Sequence, residues 1–253
     1  MIMELKDKTV IVTGASSGIG AAAALLFAAE GANVILGARR QAELDQLVGQ
    51  ITQSNGQAVC LAGDVTDEAY SKALVTLALE TYGAVDGAFN NAGIIGDMSP
   101  VSTMSTANWD AVIAANLTSA FYAAKAQIPV MAAQRKGAIV FTSSFVGFSN
   151  GGMPGMAAYA ASKAGMIGFT QALASEHAGD GIRVNAVLPG GTMTAMAGDD
   201  PDTHAFIANL HPVKRLAEPK EIAQSALYLL SDRSSFVTGT PLVADGGISV
   251  RLL

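Results

Sequence analysis

Residues 157–165 read AAYAASKAG, so Tyr159 and Lys163 stand four positions apart among alanines and one glycine. On a helix, positions i and i+4 share a face. A phenol beside a fixed ammonium ionises more easily than a free one. Such a pair has little use on a surface, but in a site that moves protons it lets a tyrosine act as an acid and as a base.

A second group of residues suits a phosphate. TGASSGIG (13–20) follows the apolar run TVIVT and opens a helical stretch, with Gly14, Gly18 and Gly20 spaced GxxxGxG. Glycines there let the backbone turn sharply and approach a pyrophosphate, which then rests on the helix N-terminus. The plainer reading is a strand-to-helix loop that merely needs glycine; the position after the first strand of an alternating chain favours dinucleotide binding. In dinucleotide folds an acid about 20 positions beyond the glycines grips the ribose hydroxyl of NAD. Here LGARR (36–40) places Ala38, Arg39 and Arg40. An acid repels a 2′-phosphate, whereas arginine forks bind it. NADP(H) is therefore expected, with Arg39 as the main ligand, Ser17 adding a hydroxyl, and Arg40 a second ligand or a solvated helix start.

These residues need a scaffold. TVIVT (9–13), NVILG (33–37), AVCLA (58–62), VDGAFN (85–90), AIVFT (138–142), IRVNAVL (182–188) and TPLVA (240–244) read as strands. Helical stretches lie near 19–30, 41–53, 67–81, 107–134, 157–178 and 219–231. The alternation predicts an α/β fold with a doubly wound, mostly seven-stranded parallel sheet, covered on both faces by helices. No linker, repeat or low-complexity block interrupts 1–253, so one domain is expected. The polar segment 193–215, with no clear strand, reads as a lid; Met193, Met196, Phe206, Ile207 and Leu210, at helical spacing, can cover a substrate or pack the lid onto the body.

Composition narrows the classes. The chain has 253 residues, 50% of them hydrophobic and 14% charged, which supplies a large core. A net charge of -6 gives no electrostatic footprint for nucleic acid. The single cysteine, Cys60, excludes an internal disulfide, and the three histidines, His177, His204 and His211, show no ligand spacing, so no metal site is expected. The alanine-rich run from Ala21 meets Glu30 and Gly31 too soon to span a bilayer. With no signal-peptide core at the start, the expectation is a cytoplasmic protein without membrane contact.

Taken in order, TGASSGIG, DV (64–65), NNAG (90–93), Asn116 in NLTSAF, Ser144 in SSFVG, YAASK (159–163) and PGGTMT (189–194) resemble the short-chain dehydrogenase/reductase family from end to end. The resemblance implies a Rossmann-type fold, a homotetramer and a catalytic tetrad of Asn116, Ser144, Tyr159 and Lys163. In that frame Tyr159 gives a proton to a carbonyl oxygen, Lys163 lowers its pKa and holds the nicotinamide ribose, Ser144 fixes the carbonyl, and Asn116 holds a water linking Lys163 to solvent. It also implies cofactor contacts from Ser16 and Ile19 in the glycine loop, from Asp64 and Val65 at the adenine, and from Asn90, Ala92 and Gly93 near the adenosine ribose. Pro189, Gly190, Thr192 and Thr194 are implied at the carboxamide.

The chain departs from the family pattern in three places. Ser144 and Tyr159 are fifteen apart, about two residues more than usual, and the extra length falls in GFSNGGMPGM (147–156). Thr192 replaces an aliphatic residue. Ser17 stands where many NADP-dependent members carry a basic residue.

Three functions are expected in decreasing order: an NADPH-dependent ketone or aldehyde reductase acting on a small carbonyl substrate, a 3-oxoacyl-carrier-protein reductase, and a cofactor-sensing protein without turnover. For the second, an acidic carrier calls for a basic rim, to which Arg135 and Lys136 are candidates and Asp180 an opponent. His204 and His211 receive no role.

Overall fold

The computed structural model describes residues 3–149 and 152–251. Seven strands form one parallel sheet: β1 (Thr9–Thr13), β2 (Asn33–Ala38), β3 (Gln57–Ala62), β4 (Gly87–Asn90), β5 (Gly137–Thr142), β6 (Ile182–Pro189) and β7 (Pro241–Ala244). Their spatial order is β3-β2-β1-β4-β5-β6-β7. This is the doubly wound Rossmann arrangement, whose crevice opens where the strand order reverses, between β1 and β4.

The helices are α1 (Gly18–Ala29), α2 (Gln41–Gln53), α3 (Glu68–Tyr82), α4 (Thr106–Ile113), α5 (Ser119–Gln134), α6 (Ala157–His177), α7 (Pro201–Leu210) and α8 (Pro219–Leu230). Period-two alternation splits the strands between two cores. Val10, Val12, Val34 and Leu36 pack with Phe27 of α1, Leu44 of α2 and Leu227 of α8. Ile11, Ile35, Ile139 and Phe141 pack on the other face with Leu74 of α3, Met131 of α5 and Met166 of α6. Phe27 and Phe89 meet edge to face, 6.1 Å apart, and both are fully buried. Each such ring contributes roughly 1.5–3 kcal/mol.

Two features sharpen or correct the sequence expectation. The helical stretch 107–134 is not one α-helix: Ala114–Thr118 forms a π-helical turn between α4 and α5, and Asn116 lies in it. Wide turns of this kind recur at functional sites. The segment 193–215 contains a real helix, α7. Asp200 caps it by accepting from the N–H groups of Asp202 and Thr203, and Pro201 stands in its first turn. Thr192 forms an isolated parallel bridge with Ala217, closing the segment onto the body at its base.

Candidate active site

The carboxyl ends of β1, β4, β5 and β6 all deliver residues to the same edge of the sheet. At β1 the chain turns through Gly14, with φ +67°, where a Cβ would stand 3.0 Å from both Ala92 Cα and Asn91 Nδ2. A Cβ on Gly20 would lie 2.2 Å from the Gly14 carbonyl oxygen, and one on Gly18, with φ +55°, 2.9 Å from Thr194 Cγ2. All three glycines are therefore required by close approach. Ser17 precedes α1 without its side chain capping the helix. The N–H groups of the first turn are thus left facing the loop, as an anion site needs.

Asn91, which received no role from the sequence, binds this crevice together. Its N–H donates to Thr13 Oγ1 at 3.1 Å, its Nδ2 to the Thr13 carbonyl at 3.3 Å, and Thr142 Oγ1 donates to its Oδ1 at 3.1 Å. It thereby joins the ends of β1, β4 and β5. Asn90 turns the other way: its amide pairs reciprocally with Gln127 of α5 at 3.0 and 3.1 Å. Expected beside the adenosine ribose, Asn90 has only its backbone to offer there.

At the end of β2 the two arginines differ. Arg40 donates to Ser16 Oγ at 3.0 Å and to the Ser16 carbonyl at 3.2 Å, and pairs with Glu43 at 3.1 Å. Arg39 is exposed and has no hydrogen bond or ion pair within the described residues. Ala38 is buried and presents no charge. Asp64 accepts from the N–H and hydroxyl of Thr66 at 2.9 and 2.8 Å; these bonds, foremost the backbone one, together with the nearby Arg39, hold its carboxyl below the usual range.

Asn116, Ser144, Tyr159 and Lys163 converge. Asn116 is fully buried; its Nδ2 donates to the Ile94 carbonyl and to Ser162 Oγ, both at 2.9 Å, and its Oδ1 accepts from Ile94 N–H at 2.8 Å. The side chain thus fixes the 93–94 backbone and, through Ser162, the helix that carries Tyr159. Ser162 Oγ in turn donates to the Tyr159 carbonyl at 2.7 Å; this serine stands inside YAASK but received no role from the sequence. A Cβ on Gly93 would stand 2.9 Å from Asn116 Oδ1 and 3.4 Å from Lys163 Nζ, so glycine is what admits both. Ser144 follows β5; its Oγ accepts from Val146 N–H at 3.2 Å and is hydrogen-bonded to the Tyr159 hydroxyl. Lys163 Nζ donates to the Thr142 carbonyl at 2.6 Å and lies 5.6 Å from the centre of the Tyr159 ring.

Burial pushes the Tyr159 phenol up, with the bond to Ser144 opposing it, and pushes Lys163 down to about 8. Within the chain alone, burial therefore sets the direction for the phenol. Desolvation outweighs an ammonium whose nearest acceptor is a carbonyl rather than the phenol.

The lysine has a consequence for stability. In the unfolded chain it holds its proton to about pH 10.4; in the fold it loses it near 8. Between those values the unfolded chain binds more protons, so stability rises with pH across the window and is lowest, on this account, below 8. The interval corresponds to about 3 kcal/mol, partly offset by the bond to Thr142. The cofactor-free Lys163→Met protein is expected to be more stable than wild type at pH 7 by about 2 kcal/mol in urea, with the difference fading toward pH 10. A variant less stable at pH 7 would contradict the cost assigned to the buried charge.

The loop after β6 completes the cleft. Gly190 N–H donates to the Ala244 carbonyl at 3.1 Å, Thr192 Oγ1 to the Gly190 carbonyl at 3.0 Å, and Thr194 Oγ1 to the Thr192 carbonyl at 3.4 Å. Asn150 and Gly151 of the 147–156 loop lie outside the described residues. Arg135 and Lys136 do not reach this edge. They precede Gly137 at the amino end of β5, about 20 Å of strand away, and Arg135 pairs with Asp180 at 3.6 Å. A basic rim cannot be built from them. Among the described residues, no three His, Cys, Asp or Glu side chains gather as metal ligands, and no helix is long and apolar enough to cross a membrane.

The glycine cradle, the open first turn of α1, the exposed Arg39 and the small Gly93 beside Lys163 fit a dinucleotide. Comparison with known proteins agrees. Residues 14–249 match the family model described as enoyl-(acyl carrier protein) reductase. A 3-oxoacyl-[acyl-carrier-protein] reductase of Thermotoga maritima is 43% identical over 249 residues, covering 98% of this chain and 100% of that protein. A cyclohexanol dehydrogenase of an Acinetobacter species is 37% identical over 251 residues, covering 99% and 98%. The crystal structure of levodione reductase superposes with a TM-score of 0.93 at 33% identity, covering 98% and 100%. The chain belongs to the short-chain dehydrogenase/reductase family, and is an oxidoreductase of carbonyl and alcohol groups that uses a nicotinamide cofactor.

Proposed function

We propose that the protein is an NADPH-dependent reductase of small ketones or aldehydes, in which Tyr159 is the proton donor. The observation that carries this reading is the hydrogen bond between Tyr159 and Ser144, set beside the buried Lys163 at the mouth of a glycine cradle. The reduced nicotinamide supplies the hydride. Tyr159 gives its phenolic proton to the carbonyl oxygen as the hydride reaches the carbon. Ser144 donates a hydrogen bond to that oxygen as negative charge develops on it. Lys163 holds positive charge near the phenolate that remains, and Asn116 keeps the 93–94 backbone and α6 in register. Arg39 takes the adenosine 2′-phosphate, with Ser17 beside it. Asp64 and Val65 meet the adenine, the backbone of Asn90, Ala92 and Gly93 the ribose, and residues 189–194 the carboxamide. The 193–215 segment serves as the lid of a single domain.

The alternative, a 3-oxoacyl-carrier-protein reductase, is favoured by the Thermotoga relative. Against it stands the placement of Arg135 and Lys136 at the wrong end of the sheet. A sensor without turnover has no need to keep four such groups in bonding geometry. The test is NADPH oxidation by purified protein across ketones, aldehydes, keto sugars and acetoacetyl thioesters. Turnover confined to the thioesters would decide for the alternative, and none at all for the sensor.

We also propose a homotetramer. Phe121 of α5 and Trp109 of α4 are 47% and 40% exposed on helices rich in apolar residues, and such a face calls for cover. Light scattering at micromolar concentration should give about four times 25.7 kDa. A clean monomer would rule this out.

A further inference from the structure

His211 follows α7 and is 2% exposed, wedged between three segments. Gly191 N–H donates to its Nε2 at 3.0 Å. Its Nδ1 lies 2.8 Å from the carbonyl oxygen of Ile207 in the last turn of α7. A Cβ on Gly190 would stand 2.8 Å from Nε2, one on Gly191 2.9 Å from Cε1, and one on Gly246, just beyond β7, 3.4 Å from Cδ2. The ring therefore fills a space that the glycines of two loops leave open.

The two partners settle the tautomer. A carbonyl can only accept, so Nδ1 carries the hydrogen; a backbone N–H can only donate, so Nε2 is bare. A histidine that merely filled space would be free to choose either form. Here one nitrogen binds the helix of the lid, and the other binds the backbone after β6.

We infer that His211 is a positioning residue for the cofactor. Its bare Nε2 fixes Gly191 N–H, and with it the Gly190–Thr192 backbone that faces the carboxamide. Its Nδ1–H ties that backbone to α7, so that lid and cofactor loop are joined through one ring. The inference rests on the assignment of residues 189–194 to the carboxamide under Proposed function.

Two substitutions separate the contributions of the two nitrogens. The amide of glutamine can place an acceptor near the position of Nε2, and the amide of asparagine a donor near that of Nδ1. His211→Asn is expected to raise the KM for NADPH about tenfold, as befits a buried N–H left without an acceptor, with a smaller change in kcat. His211→Gln should recover most of that loss. Equal effects of the two on KM, or none, would overturn the positioning role. The wild-type chain without cofactor gives an independent readout. Nitrogen-15 spectra of its three histidines, with the His211 signals identified as those that persist in both His177→Gln and His204→Gln, should show Nδ1 protonated and Nε2 bare. A ring protonated on Nε2, or averaging between the two forms, would overturn the inference even if neither variant folds. A fluorescence titration separates the two levels. If wild type binds neither NADPH nor NADH, the reading of the site fails and the cofactor role falls with it. If it binds and the asparagine and glutamine variants do not differ, only the role of His211 is lost.

Discussion

Replacing Tyr159 with phenylalanine is expected to keep the fold and lower turnover by roughly 10³-fold or more, at the upper end of what a positioned acid or base contributes. The ring keeps its place on α6; only the hydroxyl bonded to Ser144 is lost. No other protonated group stands ready to replace it. Lys163 is committed to the Thr142 carbonyl at 2.6 Å, and the Asn116 amide to Ile94 and Ser162. Because burial raises the phenol, it stays protonated at neutral pH, the form that reduction requires. Reduction should therefore hold level through neutral pH, while oxidation of the alcohol, which needs the phenolate, should gain as pH rises. The variant should bind NADPH within a few-fold of wild type and unfold at a similar temperature. Near-wild-type turnover would remove Tyr159 from the chemistry.

The second large effect concerns the choice of cofactor. NAD and NADP differ by one phosphate on the adenosine ribose, so selectivity must arise at the end of β2. Ala38 neither binds free hydroxyls nor repels a phosphate. Arg39 is exposed and makes no hydrogen bond or ion pair within the described residues, whereas Arg40 is committed to Ser16 and Glu43. A charge-assisted bond to phosphate contributes about 1.5–3 kcal/mol, roughly one to two decades of preference. Arg39→Ala should therefore erode the NADPH advantage in kcat/KM, chiefly through KM, and Ala38→Asp should push it toward NADH. Arg40→Ala should loosen the glycine loop and weaken both cofactors alike. Steady-state kinetics with each cofactor decide the matter. Equal efficiency with both in wild type, unchanged by Arg39→Ala, would mean that Arg39 only faces solvent.

Much of this could be read from the chain because the signals were local. A strand buried on both faces must be mostly apolar, and so β1, β2 and β5 stood out, and β6 despite Arg183 and Asn185 within it. Their bounds agree with expectation to within a residue. Tyr159 and Lys163 share a helix face by spacing alone. What escaped depends on distant partners. The π-turn around Asn116 leaves no periodic trace, since one extra residue per turn does not alter an already apolar stretch. The role of Asn91 is to join three strands remote in sequence, and Ser162 acts only because Asn116 is folded against it. The opposing pKa directions of Tyr159 and Lys163 come from depth, which spacing does not encode. Other features could have been found. An aspartate followed by proline, Asp200-Pro201, is a helix start, and it marks where α7 begins within a segment whose apolar residues already had helical spacing. Arg135 and Lys136 directly precede a strand of a parallel sheet, so the topology alone assigns them to the end opposite the site.

The most direct measurement is the fate of a label. The protein, given NADPH deuterated at the transferring position of the nicotinamide and a ketone on which it turns over, should yield an alcohol carrying deuterium at the carbinol carbon. The Tyr159→Phe variant should form that labelled alcohol at a rate lower by roughly 10³-fold or more. Alcohol formed without deuterium at that carbon, or labelled alcohol made as fast by the phenylalanine variant, would contradict hydride transfer completed by the Tyr159 proton.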